Sequence, residues 1–353
     1  MPNAPAYAAE LLRASARALA GVAAAQLVED EPDLSARDDA FELWRGHVAA
    51  QIADLAAAID AADDALFVRQ VRWSASAALS RQMPYAHLVA ALRATERALE
   101  ERMPQLEPSL WRPALEAAQC ALSEDATAHA GPAGSATVAP ALEARPASIL
   151  DEILRGRSRA ARATIAELVD RGLCSAESVV EDLVIPITRE VGRRWHQGQL
   201  SIAEEHIVSA TLRSTLADLS AAAPVPDPGA PGVVIASVAG DTHDLALHAL
   251  SALLEYDGWR VSVAGADTPA RDLARAATTL NASLVILSAT LVSQRHELRA
   301  AIAMLRAEPS FRAPILVGGG ALSDAKSADA VGADGFAPTL TRAVQVANQL
   351  IGR

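Results

Sequence analysis

The run Gly240-Asp241-Thr242-His243-Asp244-Leu245-Ala246 carries the residue types best suited to chemistry in this chain. An imidazole can bind a metal through one ring nitrogen, and an aspartate two residues earlier can hydrogen-bond the other, fixing the tautomer and raising ligand basicity. A loop histidine beside an aspartate is also an ordinary solvated pair, and both readings stay open at this point. Downstream, Ser288-Ala289-Thr290 offers small hydroxyl groups, and Gly318-Gly319-Gly320 offers backbone without side chains, so a ligand could lie close to both. Upstream, Trp195-His196 precedes a Gln197-Gly198-Gln199 break. Ser201 with Glu204 then forms a capping box, which places Ile202, Glu205 and His206 in the first turn of the next helix. An indole makes a flat apolar lid, and a carboxylate accepts hydrogen bonds from hydroxyl groups. Trp195 also fits as a core member of its helix stripe, and His196 as a surface histidine favoured by a helix C-terminus.

The elements that must position these residues are readable from periodicity. Apolar runs at Val233–Val238, Val261–Ala264, Leu284–Ser288, Ile315–Val317 and Gly335–Ala337 alternate with helical segments starting near His243, Pro269, Gln294, Leu322 and Pro338. This pattern predicts a flavodoxin-like, doubly wound, five-stranded parallel sheet over residues 233–353, with ligands at the carboxyl ends of its strands. His243, Ser288 and Gly318 all fall at such ends. Residues 148–221 read as a helical bundle, with helix-start signals at Ser148 and Ser175 and a stop at Arg171-Gly172. A buried stripe runs through Val180, Val184, Ile187, Val191 and Trp195, in a helix that Pro186 should kink. Residues 1–125 form a further helical block, punctuated near Pro32, Asp63, Pro84 and Pro104, in which His47, His87 and Trp73 could line a ligand pocket but read more readily as core or surface residues. Two Ala/Pro/Gly-rich stretches, residues 126–147 and 222–232, read as linkers. The expected fold class is α plus α/β: an N-terminal helical bundle, a second helical bundle acting as a cap, then the doubly wound domain.

Composition narrows the functional classes. A length of 353 residues with 51% apolar but only 3% aromatic residues points to several alanine-rich helical domains. A net charge of -12, with Lys326 the single lysine, argues against nucleic acid or an anionic membrane as direct partner. Cys120 and Cys174 form no CxxC pair, so neither a disulfide framework nor a zinc or iron–sulfur site is expected. Charged residues interrupt the apolar runs and no leader pattern is visible, so a cytoplasmic location is expected.

The set Asp241-x-His243 … Ser288-x-Thr290 … Gly318-Gly319 resembles the DxHxxG…SxL…GG signature of cobalamin-binding domains, with Ala246 in place of its glycine and Thr290 in place of its leucine. That resemblance implies His243 as lower axial ligand of cobalt and Asp241 as its orienter beside Thr242. It further implies Ser288, Thr290, Gly318 and Gly319 as the lining of a channel for the cofactor's nucleotide tail. The Trp195…Glu205-His206 spacing resembles the WxxxxxxxxxEH pattern of adenosylcobalamin-dependent photoreceptors of the CarH type. It implies adenosylcobalamin as cofactor, with Trp195, Ile202, Glu205 and His206 around its upper group and His196 as a possible upper ligand after light. The acidic N-terminal block lacks the basic recognition helix of such repressors. Expected is a light sensor and signalling protein, not an enzyme, acting through residues 1–125 by homo-oligomer change or a protein partner. A corrinoid methyl carrier and a light-independent cobalamin sensor are the alternatives. An adenosylcobalamin isomerase is not expected, since no substrate barrel is present.

Overall fold

Small side chains set the architecture of the first part of the chain. The computed structural model describes residues 4–36, 38–80, 83–129 and 143–353. The chain divides into two units, Met1–Pro140 with His196–Gly198, and Ala141–Trp195 with Gln199–Arg353. In the first unit, α1 (Ala4–Asp30), α2 (Ala40–Ala61), α3 (Asp64–Leu79), α4 (Tyr85–Arg102) and α5 (Arg112–His129) form a bundle in which α1 packs on α2 and α4, and α3 on α5. Ala8, Ala9, Ala20, Ala23 and Ala24 are buried beside Leu12, Leu19 and Leu27, so alanine lets the helix axes approach closely while leucine supplies the apolar area. Trp44, Phe67 and Trp111 fill the interior. Ala62, at φ 51°, ends α2, and the Asp63 side chain accepts from the Leu66 N–H at 3.1 Å to start α3. Contrary to the expectation from charge spacing, α1 contains a stretch long and apolar enough to cross a membrane.

The second unit begins with α6 (Ala144–Leu154), α7 (Ser158–Asp170) and α8 (Ala176–Ser178). A π-helical turn, Val179–Val184, leads into α9 (Ile185–His196), and α10 (Ile202–Ala221) follows. Two boundaries differ from expectation. The Ala/Pro-rich stretch read as a linker is helical at both described ends, Ala126–His129 in α5 and Ala144–Ala147 in α6, while residues 130–142 of that stretch lie outside the described residues. Ser148 is accordingly inside α6, not its cap. Alanine favours helix, and Pro146 falls in the first turn, where its missing N–H costs nothing. Pro186 follows a turn whose hydrogen bonds reach one residue further, with the Ile185 N–H on the Val180 carbonyl. The Ser201–Glu204 capping box is formed reciprocally.

The α/β part contains β1 (Gly232–Val238), α11 (Leu245–Tyr256), β2 (Arg260–Thr268), α12 (Ala270–Thr279), β3 (Leu284–Ser288), α13 (Arg295–Ala307), β4 (Ile315–Gly318), α14 (Ala325–Asp329), β5 (Gly335–Phe336) and α15 (Leu340–Leu350). All pairings are parallel, in the order β2-β1-β3-β4-β5. Strand β1 is buried on both faces: Val233 and Ile235 join one core cluster, and Val234, Ala236 and Val238 the other. The order reverses between β1 and β3, opening a crevice at their carboxyl ends. The sheet register aligns Ser237 with Ser288, and Ser288 with Gly318, along that crevice. The helices α6, α7, α9 and α10 share an apolar core with α11, so the cap is built onto the sheet's own helix layer.

His47 in the first unit bonds Gln51 at 3.1 Å and meets the Trp44 ring edge-on, and burial lowers its pKa from 6.5 to about 4. The unfolded chain takes up this proton first on acidification, so the stability contributed by neutral His47 is complete above pH 6.5 and is lost as pH falls towards 4. Thermal unfolding followed across that window should therefore show a falling midpoint in the wild-type protein and a shallower fall in His47→Gln.

Candidate functional site

Asp241 is fully buried, and its position follows from the turn after β1, where Gly240 adopts φ 76° and the Asp241 N–H donates to the Val238 carbonyl at 3.0 Å. Oδ1 accepts from the His243 backbone N–H at 3.1 Å and lies 2.8 Å from His243 Nδ1; Oδ2 accepts from the Thr290 N–H at 2.8 Å. Burial pushes the Asp241 carboxyl up, but hydrogen bonds from the side chains and backbones of His243 and Thr290 outweigh it and hold the group below the usual carboxylate range. The hydrogen bond to Asp241 raises the His243 pKa against its own partial desolvation. An ionised partner at Nδ1 keeps the proton there and leaves Nε2 as the ring nitrogen available to a metal.

Three further residues, invisible as motifs, fix this loop. The Gln294 side chain accepts from the N–H groups of Thr290 (2.9 Å) and Leu291 (2.8 Å) and donates to the Gly240 carbonyl (3.0 Å). Asp267, at φ 49°, accepts from the Gly240 N–H at 2.7 Å and donates its own N–H to the Asp241 carbonyl at 2.8 Å. Ser237 Oγ donates to the His243 carbonyl at 2.9 Å. The ends of β1, β2 and β3 thus hold one imidazole, whose side chain remains 62% exposed and so accessible to a ligand.

His243 and Thr242 line a cavity of about 820 Å³, together with Trp195 from α9 and Ile202, Glu205 and His206 from α10. Trp195 packs partly into the helical core, whereas Ile202 is 62% exposed, an apolar surface left for something to cover. Glu205 lies 2.5 Å from His206 Nδ1 and accepts from Ser209 Oγ at 2.5 Å. Arg213, also on the wall, is tied to Asp244 Oδ1 through Nε (3.2 Å) and Nη2 (2.6 Å), joining α10 to the start of α11. His196 ends α9 but does not line this cavity; it groups with the first unit.

Ala246 belongs to the cavity wall and also to that of a second cavity, of about 250 Å³, which Ser288, Gly318 and Gly319 border. Thr290 is not among the residues bordering this second cavity, and its backbone N–H donates to Asp241. The glycines are dictated by the protein itself as much as by a ligand. A Cβ at Gly319, where φ is 99°, would stand 2.9 Å from the Ala289 carbonyl carbon and from Ser288 Oγ, and one at Gly318 3.2 Å from the Ala337 carbonyl oxygen. Among the described residues no group of three or more His, Cys, Asp or Glu could hold a metal ion. A single oriented imidazole beside a large cavity suits a metal that brings its remaining ligands with it, as in a macrocycle.

Comparison with known proteins agrees with that donor set. Residues 231–345 match a family model described as B12 binding domain, and residues 147–219 match a second model of the same description. The chain is 33% identical over 176 residues to the HTH-type transcriptional repressor CarA of Myxococcus xanthus, covering 49% of this chain but only 58% of that one. It is 29% identical over 216 residues to a corrinoid protein of Desulfitobacterium hafniense (strain Y51), covering 58% of this chain and 99% of that one. The structure of the Methanosarcina barkeri monomethylamine corrinoid protein superposes with a TM-score of 0.50 at 17% identity, over 57% of this chain and 96% of that one, and so shares its fold. Cobalamin, a cobalt corrinoid, is the cofactor of such domains, and the residues present fit it: one oriented imidazole, a wide cavity above it, and a second cavity opening alongside.

Replacing Asp241 with Asn removes the charge that holds the His243 tautomer. Cobalamin affinity, read by absorbance titration, should fall about 10–100-fold; undiminished affinity would contradict the orienting role.

Proposed function

We propose that this chain, a cobalamin-binding protein by its two B12 binding domains, is a cytoplasmic light sensor that holds adenosylcobalamin and signals through residues 1–125. The reading rests on one observation: Trp195, Ile202, Glu205 and His206 wall the same cavity as His243. When bound, adenosylcobalamin supplies a cobalt–carbon bond that light can break. His243 holds the metal from the sheet side, with Asp241 fixing its ring. Trp195 and Ile202 give an apolar seat for an upper adenosyl group, and Glu205 accepts hydrogen bonds from its ribose hydroxyls. Losing what they pack on leaves Trp195 and Ile202 with exposed apolar surface, which shifts the preferred arrangement of α9 and α10. His196, directly after Trp195, would be the candidate to coordinate cobalt once the adenosyl group has left. The output is a change of oligomeric state or of contact with a protein partner, including one that regulates transcription.

The second reading, a corrinoid methyl carrier, draws on the match that spans 99% of the D. hafniense corrinoid protein. It predicts that methylcobalamin binds at least as well as adenosylcobalamin and that a partner enzyme demethylates it. A third reading, sensing of cobalamin without light, predicts no change on illumination.

Titration with adenosyl-, methyl-, hydroxo- and cyanocobalamin, followed by absorbance and size-exclusion chromatography before and after green light, separates the three. The light-sensor reading expects adenosyl preference, with spectrum and oligomeric state both changing on illumination. Trp195→Ala should bring adenosyl and methyl affinities together; a wild-type degree of discrimination in that variant would remove the lid role.

A further inference from the structure

Arg189 of α9 lines the second cavity, and among the described residues its side chain enters no hydrogen bond or ion pair. Its charge stands out against its surroundings. Leu250, Ile286, Leu316 and Val317 make the same wall apolar. Glu181, the other charged residue there, lies about two turns earlier in the same helical run and is committed to the start of α15, accepting from Thr341 Oγ1 at 2.7 Å. The cation of the adjoining cavity, Arg213, is already neutralised by Asp244. Of the two arginines on the connected walls, Arg189 alone keeps its charge for a ligand.

We propose that Arg189 binds the phosphodiester of the corrinoid's nucleotide tail and thereby selects complete corrinoids over tail-less ones. The proposal rests on the cobalamin reading above. A tail entering past Ala246 carries an aromatic base, which suits the apolar wall, and one negative charge, which suits a guanidinium able to donate two hydrogen bonds to phosphate oxygens. In a protein of net charge -12 an anion meets repulsion on approach, so an uncommitted cation at the cavity gains weight.

The test compares cobalamin with cobinamide, which lacks the nucleotide and its phosphodiester, on the full chain and on Arg189→Gln. Binding is read by absorbance at low and high salt. A charge-assisted hydrogen bond of ordinary strength gives an expected loss of about tenfold or more in cobalamin affinity for the variant. Cobinamide affinity should stay unchanged, and the salt dependence of cobalamin binding should be reduced. Arg189→Lys should recover part of the loss. Because Arg189 is exposed and unpaired, the melting temperature of Arg189→Gln should match the wild type. Equal weakening for both corrinoids, or no weakening for either, overturns the proposal while leaving cobalamin binding intact. Failure of the wild-type chain to bind any corrinoid would instead overturn the cobalamin reading itself.

Discussion

One buried carboxylate organises the candidate site. Asp241 has no access to solvent, so its charge has to be met entirely by protein donors, and an unmet charge at that depth would be neutralised or expelled. The donors come from its own loop and from the end of β3, so satisfying Asp241 draws the carboxyl ends of β1 and β3 together. The same bonds fix which nitrogen of His243 carries the proton. Gln294 and Asp267 then anchor the turn that carries Asp241, and the loop acquires a rigidity that its glycine and threonine would not provide.

Around that point the second unit separates two kinds of surface. The larger cavity mixes an indole, an exposed isoleucine and a Glu–His pair, the mixture expected where a polar group of some size sits on an apolar seat. The smaller one is mostly aliphatic with glycine at its edge. Ala246, where the related signature has glycine, belongs to the walls of both. The doubly wound topology explains why both cavities open where they do, since strand order reverses between β1 and β3.

Much of this is legible in the sequence itself. The five strands, readable as parallel from their alternation with helices, and the Ser201–Glu204 cap leave local patterns of periodicity and short-range hydrogen bonding, which a sequence displays directly. The contacts of Gln294, Asp267 and Arg213 are different, because each joins residues far apart in the chain and none leaves a spacing signature. The Thr290 N–H, which the sequence signature does not single out, donates to the buried Asp241 carboxylate. The alanine-rich stretch misled in the other direction: proline and glycine suggested a linker, but alanine and a first-turn proline extended helices into it at both described ends.

The π-helical turn ahead of Pro186 has a consequence for angular phase. From Val180 to Trp195 the apolar positions of the stripe advance by steps of four, three, four and four, and in an undistorted α-helix such a series drifts by roughly 60° over its length. A turn that spends an additional residue on one revolution winds that drift back, so Val191 stays interior and Trp195, at the far end, still packs partly into the helical core while it lines the cavity. The aim of Trp195 is thus set some three turns away, by the place where the backbone accommodates a proline.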